Sequence, residues 1–324
     1  MYRYRADLDG LRAVAILCVV LFHAYPQLLP GGLLGVDLFF VLSGYLITQL
    51  LQRQGLAARV GVWHFYRQRL QRLYPPLLLF LSTMLVLAYF MLDSAQYSAL
   101  WFYGFSASVF TTNLYLAVDQ GLLSDGYAHN PFLHLWSLGI EGQLYLLWPL
   151  IALYRCRLFL AGILSIGSAG VLYAVGADSW LFYAPSSRLF EMAAGAALAL
   201  YGKRLPQHLT AYSNGLLLSC FVLGLLLINP YQPYPTSTVL LPVAAAALFI
   251  VNAPQSALNQ ALSCKPLVYI GRVSYSWYLW HWGLLALYQT HIAPWVLLGL
   301  SFVLAMLSYH GVEQPLQQRR RAAA

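Results

Sequence analysis

Charge is what this chain has least of. Only 9% of its 324 residues are Asp, Glu, Lys or Arg, 60% are hydrophobic, and the mean hydropathy is +0.64. Soluble domains run near a quarter charged. Apolar runs recur along the whole length here, so a single water-soluble core is excluded. Cysteine is scarce as well. Cys18, Cys156, Cys220 and Cys264 have no metal-like spacing, so they read as reduced structural thiols and no metal site is expected. No small-residue cleavage site follows the first apolar run, which therefore reads as a retained span rather than a removed signal peptide. Low-complexity tracts and clear internal repeats are also missing. The formal net charge of +8 does not signal nucleic acid, because the arginines fall between the apolar runs.

What is present is ten such runs, at roughly 9–29, 33–51, 74–92, 133–153, 158–177, 186–201, 212–229, 236–252, 272–290 and 294–312. They predict an all-α, polytopic membrane protein forming one transmembrane domain over 1–324. With the N-terminus in the cytoplasm, 17 of the 18 Lys and Arg residues fall on the inner side, Arg188 being the exception. The outer loops carry Asp93, Asp119, Asp125 and Asp178, and the longest, 93–132, has neither Lys nor Arg. This alternation is the positive-inside pattern and puts both termini in the cytoplasm. Residues 53–73 are too charged to span. Val62, Phe65, Leu70 and Leu73 give that segment an apolar stripe among arginines, which predicts an interfacial helix ended by Tyr74-Pro75-Pro76.

Ionisable residues inside apolar runs are expensive and mark candidate sites. Arg12 and His23 share the first run, DGLRAVAILCVVLFHA. Eleven residues of helix turn through about 1,100°, so the two lie on one face, about 16 Å apart along the axis. Asp9 and Arg12 are spaced to pair across one turn. A buried neutral imidazole suits proton transfer near neutrality; a histidine bonded to a neighbouring helix is the alternative. Arg69 and Arg72 point the same way from their helix, a geometry that suits either phosphates or anionic headgroups. Asp37 has no local cation, which leaves a tertiary partner or a substrate contact open. Glu141 lies near mid-depth in HLWSLGIEGQLYLLWP, where Trp136, Tyr145 and Trp148 read as belt or packing residues. Arg188 and Glu191 can form a local ion pair, or Arg188 can receive an acidic substrate group. His281 sits among Tyr275, Tyr278 and Trp280, and His310 and Glu313 lie three apart in SYHGVEQP without a convincing third metal ligand.

Taken in order, DGLRAVAILCVVLFHA, GGLLGVDLFFVLSGYLIT, RQRLQRLYPP, LWSLGIEGQLYLLWP, RLFEMAAGAALAL, IGRVSYSWYLWHW and SYHGVEQP resemble the acyltransferase-3 family of membrane acyltransferases over essentially the whole chain. The resemblance implies a ten-helix domain of the bacterial inner membrane that takes an acyl group, usually acetyl, from cytoplasmic acyl-CoA. The group passes to a hydroxyl of an envelope glycan or lipid-linked saccharide, such as lipopolysaccharide O-antigen or exopolysaccharide. Acyl-CoA enters as a substrate, with no tightly bound cofactor. By the same resemblance Arg12 and His23 form the catalytic pair of the first span. Phe39, Phe40, Ser43 and Gly44 form the second-span motif, and Arg69 and Arg72 hold the acyl-CoA end. Glu141 joins the catalytic set by orienting His23 or binding the sugar, and Asp37, Arg188 and His281 line the acceptor side or the path. Two departures stand out. Gly142 occupies a position where many relatives have a second acidic residue, and the chain stops at Ala324 without the esterase-like domain of some relatives, so transfer would be completed alone or with a partner. The competing class is a transporter for an acylated or anionic metabolite, which should show paired repeats with matching broken helices. None is visible in the sequence.

Overall fold

Every one of the ten apolar runs contains a helix. The computed structural model describes residues 4–53, 59–119, 130–152, 155–202, 213–229, 232–252 and 254–323. Among them the chain is helical, with no strand. In chain order the helices are α1 (Ala6–Ala24), α2 (Leu34–Arg53), α3 (Arg59–Met91), α4 (Ser94–Ser108), α5 (Thr112–Asp119), α6 (Trp136–Ala152), α7 (Arg155–Ala174) and α8 (Asp178–Tyr183). They continue as α9 (Pro185–Tyr201), α10 (Ser213–Leu227), α11 (Leu240–Val251), α12 (Ala257–Leu262), α13 (Lys265–Tyr288), α14 (Pro294–Ser308) and α15 (Gln314–Ala323). Among the described residues, four stretches, Pro30–Arg53, Val62–Met91, Cys156–Ala174 and Pro294–Gln318, are long and apolar enough to cross a membrane. In the charge map, Arg3, Lys203, Arg204 and Asp125 lie outside the described residues, as do the side chains of Arg59, Asp119, Arg155, Arg319, Arg320 and Arg321.

The helices form two compact units, and the boundary runs through α6 and α13. The first comprises Met1–Ala57 and Leu147–Ser274. Its most extensive helix contact joins α2 to α9. A Cβ on Gly44 would lie 2.0 Å from the Met192 carbonyl oxygen, and one on Gly195 would lie 2.0 Å from that of Val41. The two backbones therefore touch, as small residues permit between membrane helices. Trp148 ties α6 to α2 by donating its indole N–H to the Thr48 hydroxyl at 2.9 Å. On α7 the outward flank is apolar and exposed at Phe159, Ile163 and Ile166, as a lipid-facing helix requires. The end of the unit that holds the start of α1 is fastened by polar groups. Buried Asp7 pairs with Arg5 and accepts from the Asn259 amide at 2.7 Å, while Arg5 also donates to the Ile250 carbonyl at 2.7 Å.

The second unit comprises Ala58–Leu146 and Tyr275–Ala324. Here the structure departs from the segment boundaries read in the sequence. Residues 59–91 are one helix of 33 residues, and Pro75 and Pro76 lie inside it rather than ending a separate interfacial helix. Proline costs a helix its backbone donor, but neighbouring groups can take up the freed carbonyls at membrane depth. The buried face also shifts. Phe65 and Leu73 are buried, whereas Leu70 is half exposed. Residues 65, 69, 72 and 73 follow the 3.6-residue repeat and Leu70 falls off it, so Arg69 and Arg72 share the inward face. The predicted outer loop 93–132 includes α4, opened by a capping box from Asp93 to Gln96, and α5. Gln143 holds these to α6 by donating to the Phe110 carbonyl at 2.7 Å and to Asn113 Oδ1 at 2.8 Å.

Candidate active site

In the first unit, Arg12 and His23 both lie on α1. The helix stops at Ala24 because Tyr25 precedes Pro26 and turns out of the helical region. His23 is therefore in the last turn, half buried, with its ring against Phe22 at a centroid distance of 5.2 Å. The Arg12 guanidinium is held 3.7 Å from Asp9 and donates to the Ser274 hydroxyl at 3.0 Å. Asp9 in turn accepts from Tyr4 at 2.5 Å and sits 3.8 Å from Arg272. Arg12 thus belongs to a polar cluster of two guanidiniums around one carboxylate, which fixes its direction at the start of α1.

Asp37 has a tertiary partner. Arg188 Nη1 donates to Asp37 Oδ1 at 3.0 Å and to Glu191 Oε1 at 3.3 Å, so one nitrogen serves two carboxyl groups. Tyr234 donates to Asp37 Oδ2 at 2.6 Å, and its ring lies 4.7 Å from the Arg188 guanidinium carbon. Asp37, Arg188 and Glu191 each have 0% exposure. The local Arg188–Glu191 pair read as one alternative in the sequence is present, and Asp37 joins it, so Arg188 is the buried centre of a cluster that joins α2 to α9. In the second-span motif, Phe40 is buried, Phe39 and Ser43 are half buried, and Gly44 is the point of backbone contact with α9.

Arg69, Arg72, Glu141 and His281 belong to the second unit. Arg69 stacks its guanidinium 5.7 Å from the Phe65 ring centre and 5.4 Å from that of Tyr145. The Tyr145 hydroxyl donates to Glu141 Oε1. Tyr145 therefore connects two residues that the sequence singled out separately. The Nε atoms of Arg69 and Arg72 are buried, which turns the inner part of each guanidinium into the unit. Gly142 has a steric explanation, since a Cβ there would lie 2.7 Å from Phe110 Cγ. The aromatic ring occupies the space that an acidic side chain would need.

His281 is fully buried, and its Nδ1 N–H donates to the Tyr278 carbonyl at 2.7 Å. Its ring meets that of His134 edge-on at 5.5 Å. Tyr278 donates its hydroxyl to the His134 carbonyl at 2.5 Å and lies 2.6 Å from the Ser137 hydroxyl. His310 and Glu313 part company in a π turn over Tyr309–Glu313. His310 is exposed against Gln314, whereas Glu313 is buried and accepts from Ser276 at 3.0 Å. Among the described residues no three His, Cys, Asp or Glu side chains could hold a metal ion.

Sequence reasoning gave no role to Tyr234 or His134 and read Tyr145 as packing. Their partners are far away in the chain or depend on a helical register, and only the i, i+4 spacing of Glu141 and Tyr145 was visible beforehand.

Helices with buried ion pairs at their contacts, apolar flanks turned outward and a polar cluster at the start of α1 define a multi-pass membrane protein. The acyltransferase domain of the acyltransferase-3 family matches residues 5–309, and the chain belongs to that family. YrhL of Bacillus subtilis, a candidate peptidoglycan O-acetyltransferase, is 33% identical over 98% of this chain and 55% of its own length. Peptidoglycan O-acetyltransferase OatA of Listeria monocytogenes is 29% identical, over 98% of this chain and 56% of its own. O-acetyltransferase OatA of Staphylococcus aureus is also 29% identical, over 98% and 58%. The chain thus spans a little over half the length of the curated relatives it matches. No solved structure matches it.

Proposed function

We propose that this protein is a membrane O-acyltransferase that moves an acyl group, acetyl by analogy with its relatives, from cytoplasmic acyl-CoA to a hydroxyl of a bacterial envelope glycan. The observation that carries the reading is the acyltransferase domain matching residues 5–309. The relatives' names favour peptidoglycan as the acceptor over O-antigen or exopolysaccharide. The charge pattern supports ten spans in the bacterial inner membrane with both termini in the cytoplasm.

In this reading Arg69 and Arg72 bind the CoA phosphates through charge-assisted hydrogen bonds. Their buried Nε atoms support that role over loose attraction to lipid headgroups. Arg12, steadied by Asp9 and Ser274, orients the donor. His23 takes the proton from the acceptor hydroxyl as that oxygen attacks the thioester carbonyl, and the thiolate of CoA leaves. Glu141, bonded to Tyr145, is the carboxylate of the set. The test is chemical: peptidoglycan, lipopolysaccharide and exopolysaccharide from a deletion strain are hydrolysed separately and their released acyl acids compared with those of the parent. Loss of acetate from one fraction, restored by the gene, is expected. Unchanged acylation in all three, with altered uptake or export of a metabolite, would replace the enzyme with a transporter.

A further inference from the structure

The Asp37–Arg188–Glu191 cluster contains two carboxyl groups and one guanidinium, all with 0% exposure. Arg188 Nη1 serves one oxygen of each carboxyl, and Tyr234 serves the second oxygen of Asp37. Glu191 Oε2 is buried and has no hydrogen-bond partner among the described residues. Among the described residues the surroundings bring no second cation to it. α7 contributes Ser165, bonded to the Ser186 carbonyl, and α8 contributes the exposed Asp178 and the Phe182 carbonyl that accepts from Arg188. α11 has no ionisable side chain, and α10 has only Cys220. α1 carries Asp7, Asp9, Arg12, Cys18 and His23, but meets Gly32 and Gly35, before and at the start of α2, through Ala15, Cys18 and Val19, and Arg12 is engaged by Asp9 and Ser274. A second ionised carboxylate without its own cation is far costlier to bury than a neutral acid.

We infer that this cluster is a proton-binding site, in which Glu191 is a neutral carboxylic acid while Asp37 remains the single carboxylate paired with Arg188. The contact between α2 and α9 then depends on one bound proton. Removing it sets two carboxylates against one guanidinium where the two backbones touch. The inference is independent of acyl transfer, because it needs only the folded first unit.

Infrared spectroscopy of the purified full chain in lipid nanodiscs tests it. The chain has three glutamates, Glu141, Glu191 and Glu313. With carboxyl-labelled carbon-13 glutamate, the wild type should show a protonated-carboxyl band at neutral pH that shifts with the label. Glu191→Gln should lose that band. Asp37→Asn should lose it too, because Glu191 then becomes the only carboxylate for Arg188 and ionises. Raising the pH should bleach the band and lower the thermal midpoint together in the wild type. A wild type without the isotope-shifted band, or a band that survives Glu191→Gln or Asp37→Asn, overturns the inference. Glu141→Gln and Glu313→Gln, which should each keep the band, assign it to Glu191 even where Glu191→Gln fails to fold.

Discussion

The Arg69 guanidinium lies 5.4 Å from the centre of the Tyr145 ring, and the hydroxyl of the same ring donates to Glu141. One aromatic side chain thus holds a cation on its face and a carboxylate at its edge. The two functions separate by mutation. Tyr145→Phe keeps the face and loses the donor, and should lower turnover about tenfold, the cost of a hydrogen bond to a charged group being ~1.5–3 kcal/mol. Tyr145→Leu loses both, and should in addition weaken donor binding by the ~0.5–2 kcal/mol of a cation–π contact. Steady-state kinetics on purified protein distinguish them; equal donor KM values for the two variants would deny the stacked arginine a part in donor binding.

Arg69 and Arg72 share the inward face of α3. If both grip phosphates, Arg69→Ala and Arg72→Ala should each raise the donor Kd by about tenfold or more, since ~1.4 kcal/mol corresponds to a factor of ten. Calorimetry with CoA is the direct measurement. Unchanged affinity in both variants would return these arginines to the membrane surface.

The contact between α2 and α9 leaves no room for a methyl group. Gly44→Ala and Gly195→Ala would each put a Cβ 2.0 Å from a carbonyl oxygen, and should destabilise the first unit by ~1–3 kcal/mol, as overpacking typically does. Gly167→Ala is the control, because nothing lies within 4 Å of the added atom. Thermal unfolding in detergent should lower the midpoint for the first two and leave the third near wild type.

Removing Arg188 strands Asp37 beside Glu191. Arg188→Ala should cost ~3–5 kcal/mol, the usual penalty for deleting one partner of a buried pair. Adding Asp37→Asn should recover part of that loss, because it removes the stranded charge. A double variant no more stable than Arg188→Ala would show that the cation is not there to offset Asp37.

Helix positions were legible in the sequence because membrane burial imposes long apolar runs, and each of the ten runs contains a helix. Boundaries were less so. Hydropathy separated 53–73 from 74–92, but the backbone continues through Pro75 and Pro76 as one helix. The candidate ionisable residues were also visible, since charge in apolar surroundings is conspicuous. Their partners were not. The bond from Tyr234 to Asp37 spans 197 positions and that from Arg12 to Ser274 spans 262, so no local spacing encodes them. Gly142 looked like a missing acid until Phe110 was seen to fill its place.

His23, in the last turn of α1, is the residue on which the proposed reaction turns. The decisive measurement is mass spectrometry of the envelope glycan acyl mark in a deletion strain that expresses either the wild type or His23→Ala at equal membrane levels. General-base catalysis contributes about 10²–10⁴-fold, so the wild type should restore the mark and the variant should leave it at the level of the deletion strain. Full restoration by His23→Ala would contradict the assignment.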